Sequence, residues 1–184
     1  MKEKTGKTHG KLYLIIGGAA SGKSGYAEQL AHEVSGKNRE PLIYLATMQP
    51  SGEEAAERIA KHRRNRAGRG FRTTERTTGL AGLEVPEGAC VLLEDMGNLL
   101  ANEMFLPDGG GRQAVLDGIR HIREQAGDLV IVSNEIFSDG EIYTGETRSY
   151  MEDLAGINCV LAEEADLVAE VICGIPRVRK GGQI

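Results

Sequence analysis

The stretch LYLIIGGAASGKS at residues 12–24 decides how the rest of the chain is interpreted. It places a short apolar run, typical of a buried strand, directly before a sequence that fits the phosphate-binding (P-loop) pattern GxxxxGK[ST]. In that pattern the glycines let the backbone curl around a phosphate with its N–H groups pointing inward, and the following helix adds its positive end. A glycine-rich structural turn is the alternative explanation. The residues predicted to bind nucleotide phosphates are Gly17, Gly18, Ala19, Ala20, Ser21, Gly22, Lys23 and Ser24.

Two side chains of this loop and a more distant carboxylate are expected to carry the chemistry. Lys23 is predicted to reach the terminal phosphate oxygens, and Ser24 to hold Mg²⁺. A P-loop enzyme also needs a carboxylate at the end of a neighbouring strand to organise the metal and the nucleophile. Glu94, directly after the apolar run at residues 90–93, is the first choice, and Asp95 is the second. The alternative for both carboxylates is that they cap the helix that follows.

Further short apolar runs recur along the chain and predict an α/β fold. Their starts lie 30, 48, 39 and 38 residues apart, which leaves room for a helix and its loops between consecutive strands. A repeated βαβ pattern of this kind predicts a mostly parallel sheet. The predicted strands cover residues 12–16, 42–46, 90–93, 129–132 and 167–172. A short edge strand at residues 177–179, entered through a turn, is expected to form a C-terminal edge hairpin. The predicted helices cover residues 23–34, 53–64, 111–125 and 145–164.

Composition indicates one globular domain. The chain has 184 residues, of which 40% are apolar and 27% charged, and its three cysteines are too far apart to suggest a disulfide framework or a zinc site. No apolar run approaches the roughly 18 residues of a membrane span. We therefore expect a cytoplasmic protein in which residues 1–10 form a flexible extension and residues 11–184 form a single P-loop domain.

Charge is unevenly distributed, although the net charge is only −5. Residues 58–76 contain eight Lys and Arg side chains and one acid, Glu75. Such a window is expected to bind an anion. The phosphates of a small molecule are favoured over nucleic acid because aromatic residues, which would stack on bases, make up only 4% of the chain. A nucleic-acid-binding arm is the alternative.

His62 lies inside this basic window, on the predicted helix at residues 53–64. It follows Ile59 by three positions, so it shares the inward side of that helix, with Arg63 and Arg66 close by. Neighbouring cations disfavour the imidazolium form and leave a neutral nitrogen able to attack phosphorus. Taken alone, the residues favour a solvated basic face, with a nucleophilic histidine as the alternative.

The order of these motifs resembles one family, the bifunctional adenosylcobinamide kinase/adenosylcobinamide-phosphate guanylyltransferases of cobalamin assembly. The resemblance runs from about residue 12 to residue 180. Beyond the P-loop it rests on Thr47, Arg58, His62, Arg63, Arg66, Glu75, Glu94, Asn102, Asn134, Glu135 and the segment Gly174-Ile175-Pro176.

The resemblance implies two reactions on one subunit. A nucleoside triphosphate phosphorylates adenosylcobinamide, a small-molecule corrinoid, and GTP then donates GMP through a guanylyl-histidine to give adenosylcobinamide-GDP. His62 matches the nucleophile, and further nucleotide contacts are implied for Thr47, Arg58, Arg63, Arg66, Glu75 and Glu94. Also implied are ATP and GTP as substrates, Mg²⁺ as cofactor, a RecA-like three-layer fold and a homotrimer.

The chain departs from this family at four positions. Ala20, Ser149, Glu152 and Ile157 stand where the family usually has arginine. A hydrogen bond from a charged group contributes about 1.5–3 kcal/mol, so the loss of two would weaken binding of the usual ligand by orders of magnitude. Two other functions therefore stay open: a P-loop small-molecule kinase without guanylyltransferase activity, and a non-catalytic nucleotide-binding homologue.

Overall fold

The structure is a computed structural model that describes residues 10–38, 41–49 and 68–182. Its elements in chain order are β1 (Leu12–Gly17), α1 (Lys23–Asn38), β2 (Leu42–Ala46), β3 (Arg72–Glu75), a 3₁₀ turn (Leu80–Gly82), β4 (Cys90–Glu94), α2 (Met96–Phe105), α3 (Gly111–Gln125), β5 (Asp128–Asn134), α4 (Gly145–Glu164), β6 (Leu167–Ile172) and β7 (Ile175–Lys180).

The described residues form a seven-stranded sheet in the order β3-β2-β4-β5-β1-β6-β7. Every pair of neighbouring strands is parallel except β6 and β7, which form an antiparallel hairpin at one edge. The predicted α/β fold, with a mostly parallel sheet and a short edge hairpin near the C-terminus, is confirmed.

Helices cover both faces of this sheet and produce three layers. Strand side chains alternate between the faces, so Leu12 and Leu14 pack with α2, α3 and α4, whereas Tyr13 and Ile15 pack with α1. Because the central strands are buried on both faces, they appear in the sequence as continuous apolar runs. Because the strands from β3 to β6 in the sheet order run parallel, their carboxyl ends meet at one edge of the sheet, where the loop after β1 lies.

One feature of the predicted arrangement was wrong. Glu94 was expected on a strand next to the one that precedes the P-loop, but β5 lies between β1 and β4. Two elements were also given no bounds from the sequence: β3, whose residues are polar and mostly exposed, and α2. The helix predicted at residues 53–64 and most of the predicted extension at residues 1–10 lie outside the described residues.

Within the described residues, every helix is too short or too polar to cross a membrane.

Candidate functional site

The loop between β1 and α1 folds back on itself and closes with short contacts. The N–H of Ser21 donates to the carbonyl of Gly18 (3.3 Å), and the N–H of Tyr26 donates to the carbonyl of Gly22 (3.1 Å), which begins the helical bonding of α1. Lys23 is buried, with 8% of its surface exposed, and its Nζ donates to the Gly18 carbonyl at 3.1 Å. The ammonium group is thus held over the mouth of the loop, where a bound phosphate would replace the carbonyl as its partner.

A cavity of about 790 Å³ opens in front of this loop. Residues 19–24 form one wall, and the first turns of α2 form the other through Gly97, Asn98 and Ala101. Asn134 at the end of β5 and Tyr150 on α4 also line the cavity. Its volume falls in the range of about 300–1,000 Å³ that is usual for small-molecule sites.

Glu94 bridges the two walls. Its Oε1 accepts a hydrogen bond from the hydroxyl of Ser24 at 2.5 Å, across 70 residues of sequence, although β5 separates the strands concerned. Burial is the main reason why the pKa of the Glu94 carboxyl is raised to about 7. The nearby Asp95 contributes to this increase, and the hydrogen bond from Ser24 opposes it. The second oxygen, Oε2, is buried without a hydrogen-bond partner among the described residues.

This arrangement suits a magnesium ion shared with a nucleotide. The described residues contain no cluster of three His, Cys, Asp or Glu side chains able to hold a metal by themselves. Mg²⁺ prefers oxygen ligands and is usually held by one or two protein groups together with substrate phosphates. The Ser24 hydroxyl and the unpartnered Glu94 oxygen are oxygen donors of that kind.

Asp95 has a different role from its neighbour. Its Oδ1 accepts the N–H of Asn98 at 2.7 Å, so it is the N-cap of α2. A cap of this type satisfies a backbone donor that the helix leaves unpaired. The alternative that a carboxylate caps the following helix therefore holds for Asp95, whereas Glu94 faces Ser24.

Gly97 provides room for two polar groups of the cavity. A Cβ atom at this position would lie 2.5 Å from Asn134 Nδ2 and 2.9 Å from the hydroxyl of Tyr150, both shorter than real contacts. The Tyr150 hydroxyl donates to the Gly97 carbonyl at 3.2 Å, and burial raises its pKa to about 12. Tyr150 therefore stays protonated near neutral pH and lines the cavity as a neutral donor.

The sequence did not point to a hydrogen-bond network at the ends of β2 and β3. The Thr47 hydroxyl is fully buried; it accepts the N–H of Asp95 (2.9 Å) and lies 3.1 Å from the Glu94 carbonyl. On α2, the Asn102 amide donates to backbone carbonyls and the buried Glu103 carboxylate accepts backbone N–H groups. Asn102 appeared only as a residue of the family pattern, and nothing in the sequence indicated Glu103.

The structure thus brings Lys23 and Ser24 of the P-loop pattern together with Glu94, the carboxylate predicted at a strand end, at one cavity. Their roles in binding and catalysis stay predictions. Thr47 is buried and bonds to the backbone of Glu94 and Asp95, two residues that line this cavity, and Glu75 lies exposed at the carboxyl end of β3, opposite Ala46. Nucleotide binding by these two residues stays a prediction. Four further predicted site residues lie outside the described residues: Arg58, His62, Arg63 and Arg66.

Comparison with known proteins gives consistent matches over most of the chain. A family model described as CobU, cobinamide kinase/cobinamide phosphate guanyltransferase, matches residues 13–178. The bifunctional adenosylcobalamin biosynthesis protein CobP of Pseudomonas aeruginosa is 35% identical over 176 residues, covering 91% of this chain and 96% of that protein. The bifunctional protein CobU of Escherichia coli is 31% identical over 184 residues, covering 89% of this chain and 97% of that protein.

A solved structure with a similar fold is more distant in sequence. The flagellar accessory protein FlaH of Methanocaldococcus jannaschii superimposes with a TM-score of 0.53 and is 14% identical. The match covers 95% of this chain and 80% of FlaH. At this identity the match supports the fold alone.

Proposed function

The chain belongs to the cobinamide kinase/cobinamide phosphate guanyltransferase family, and on that premise we propose that it phosphorylates adenosylcobinamide and then transfers GMP to the product through His62. Membership of this family, expected from the order of the motifs, is confirmed by matches over most of the chain. The observation that carries the proposal is the 2.5 Å contact between Ser24 and Glu94 beside the buried Lys23, because it assembles the groups that phosphoryl transfer needs.

In the kinase step, the alcohol oxygen of the corrinoid side chain attacks the γ-phosphorus of ATP. The new P–O bond forms as the bond between the γ-phosphorus and its bridging oxygen breaks, and ADP leaves. Glu94, which lies in the cavity beside the Ser24 hydroxyl, accepts the hydroxyl proton. Lys23 stabilises the charge on the terminal phosphate oxygens. Mg²⁺, held by Ser24 and Glu94, would supply further neutralisation of the phosphates.

In the transfer step, a neutral ring nitrogen of His62 attacks the α-phosphorus of GTP. An N–P bond forms, the bond to the pyrophosphate oxygen breaks, and the imidazolium loses its N–H proton to solvent. A phosphate oxygen of adenosylcobinamide phosphate then attacks the same phosphorus and breaks the N–P bond. The ring takes up one proton from solvent as it leaves, which restores the neutral histidine. Two displacements replace one difficult reaction.

We also propose, from the family resemblance alone, that the chain forms a homotrimer.

The test is incubation with GTP that carries label in its α-phosphate. The protein should become labelled through a bond that survives hydroxide and breaks in acid, as a phosphoramidate does, and His62→Ala should remove the label. His121→Ala is the matched control, because His121 lies on α3 and contacts the Leu83 carbonyl rather than the cavity. Label retained in His62→Ala would rule out His62 as the nucleophile.

A kinase without transfer activity is the second candidate, favoured by one observation. Lys23, Ser24 and Glu94, which meet at the cavity, are the groups that a kinase needs, and His62 is not among them. ATP-dependent phosphorylation of adenosylcobinamide, without labelling of the protein by GTP, would select this candidate. Mass spectrometry of the corrinoid products after incubation with both nucleotides separates the two functions from a non-catalytic binder.

A further inference from the structure

The side of the cavity formed by α2, β5 and α4 carries acidic and neutral groups. Among the residues that the structure describes, Lys23 on the P-loop wall is the only Lys, Arg or His that lines the cavity. A phosphate placed on the α2 side would therefore meet a carboxylate and no positive partner, and like charges repel. This side suits an uncharged molecule. Its described lining residues are Asp95, Gly97, Asn98, Ala101, Asn134 and Tyr150.

Gly97 leaves an open position on this side of the cavity. It is buried in the first turn of α2 and does not have a positive φ, so the backbone itself does not require glycine there. A Cβ atom would lie 2.5 Å from Asn134 Nδ2, 2.9 Å from the Tyr150 hydroxyl and 3.4 Å from Asp95 Oδ1. The glycine is therefore explained by the polar groups of β5, α4 and the start of α2, which converge on the space where a side chain would begin.

The hydroxyl of Tyr150 has only a weak partner in this space. Its bond to the Gly97 carbonyl is 3.2 Å long, whereas hydrogen bonds between a hydroxyl and an oxygen are usually about 2.5–3.0 Å. The phenol keeps its proton near neutral pH, because burial raises its pKa to about 12. Tyr150 can therefore give this hydrogen bond to a better placed oxygen of a bound molecule.

We propose that Tyr150 binds the acceptor alcohol of the kinase step, in a subsite beside Gly97 and Asn134 that takes an uncharged alcohol. The inference rests on the proposed kinase function. If the P-loop wall holds the phosphates, the acceptor approaches the terminal phosphate from the facing wall, because the attacking and leaving oxygens lie roughly in line. The alcohol oxygen accepts the hydrogen bond of Tyr150 with one lone pair and attacks the γ-phosphorus with the other. Its proton passes to Glu94 as ADP leaves.

The phosphorylated product does not suit the same subsite. Its new phosphate is negatively charged, and the Asp95 carboxylate lies beside the open position at Gly97. The described residues on this side of the cavity supply no cation to offset that repulsion. Tyr150 should therefore matter for binding of the alcohol and not for binding of adenosylcobinamide phosphate, the acceptor of the transfer step.

The first experiment compares Tyr150→Phe with the wild type. Loss of one neutral hydrogen bond should lower kcat/KM for adenosylcobinamide about 3- to 10-fold. The affinities for ATP and for adenosylcobinamide phosphate, measured by calorimetric titration, should change by less than about twofold. Tyr143→Phe is the matched control, because the Tyr143 hydroxyl donates to Asp139 at 2.7 Å in the exposed loop before α4 and does not line the cavity. It should keep the wild-type kcat/KM.

The second experiment fills the open position with Gly97→Ala. The added Cβ should displace both the Asn134 amide and the Tyr150 hydroxyl, and kcat/KM for adenosylcobinamide should fall about 10- to 100-fold. Binding of ATP should be retained, because the bonds within the P-loop wall do not involve Gly97. Gly36→Ala is the control for adding a methyl group to a helix, since Gly36 lies in α1 with open space around it.

Three results would overturn the acceptor subsite. The first is an unchanged kcat/KM for adenosylcobinamide in Tyr150→Phe. The second is an equal loss of ATP affinity in that variant, which would mean that Tyr150 only ties α4 to α2. The third is an equal loss of affinity for adenosylcobinamide phosphate. A wild-type protein that binds ATP but does not phosphorylate adenosylcobinamide would overturn the proposed kinase function, and the role of Tyr150 with it.

Discussion

The two walls of the cavity differ in how far apart in sequence their contacts lie. On the P-loop wall, the bonds from Ser21 and Lys23 to the Gly18 carbonyl span three and five residues. On the α2 side, the bond between Thr47 and Asp95 spans 48 residues, and that between Asn102 and Thr47 spans 55. The first wall takes its shape from one contiguous motif, whereas the second exists only once the sheet has formed.

This difference predicts that substitutions on the P-loop wall lower the reaction rate but change the thermal stability of the protein only slightly. The largest effect is expected for Lys23→Ala, which removes the cation at the terminal phosphate. Loss of one preorganised donor typically costs about 100- to 1,000-fold in rate, and we expect that fall in kcat/KM for ATP and a similar fall in labelling from GTP. Steady-state kinetics and thermal unfolding measure the two properties on the same samples.

Lys180→Ala provides the control for loss of a lysine. Lys180 lies at the end of β7, where its Nζ donates to the carbonyls of Ala162 and Glu163. Its replacement should leave kcat/KM within about twofold of the wild type. A loss of less than tenfold in Lys23→Ala would show that the loop backbone binds the phosphates without the side chain, and the comparison between the walls would lose its clearest difference.

Glu94 connects the two walls, and its substitution should separate activity from stability. Its folded-state pKa of about 7 lies above the usual value of 4.5, so between these pH values the folded protein binds more protons than the unfolded chain. The free energy of unfolding therefore falls as pH rises through this window. Glu94→Gln should remove that contribution and raise stability at pH 8 by up to about 3 kcal/mol, while abolishing the kinase step. Urea unfolding of the wild type and of Glu94→Gln between pH 5 and pH 8 measures the difference in the free energy of unfolding.

Asp128→Asn is the matched substitution outside the cavity. Burial also raises the pKa of the Asp128 carboxyl, which accepts the N–H of Lys11 at 3.0 Å. This variant should likewise flatten part of the pH dependence of stability but retain activity. If Glu94→Gln were less stable than the wild type at pH 8, the carboxylate would be stabilised by contacts other than those described.

The same contrast in sequence distance explains which parts of the fold could be predicted. Buried parallel strands such as β2 and β6, and the helices α3 and α4, match their predicted bounds, because continuous apolar runs and periodic faces are local signals. β3 gave no such signal, since RTTE is polar and lies at the exposed edge of the sheet. Its strand conformation comes from pairing with β2.

The same limit applies to the site: residues with a local sequence signal could be predicted, and residues whose role depends on distant backbone groups could not. The P-loop pattern placed Lys23 and Ser24, and the apolar run before Glu94 placed a carboxylate at a strand end, although not the order of the strands. The roles of Asn102 and Glu103 depend on carbonyl and N–H groups that lie 7 to 55 residues away in sequence. A helix sequence carries no sign of such partners, because any backbone group could supply them.

Besides the contact with Glu94, the P-loop wall is supported by a second distant element, the turn of the β6–β7 hairpin. The N–H of Gly174 donates to the Ser21 carbonyl at 2.7 Å. Because the C=O and N–H of a trans peptide unit point in opposite directions, this bond turns the N–H of Gly22 away from the hairpin. A Cβ at Gly22 would lie 3.0 Å from the Cα of Gly174, so the turn and the loop are in close contact.

The smallest expected effect tests how independent the P-loop wall is. Gly174 has φ of +79°, and an alanine there is strained by about 1–2 kcal/mol, so Gly174→Ala should shift the turn and weaken ATP binding by about fivefold, equivalent to about 1 kcal/mol. Gly140→Ala carries the same strain, because Gly140 also has φ of +79°, but Gly140 lies in an exposed loop with open space around it. Calorimetric titration with ATP should therefore distinguish two variants of similar thermal stability. Equal affinities in both would mean that the loop keeps its phosphate-binding shape without the hairpin, and that the contiguous motif is sufficient.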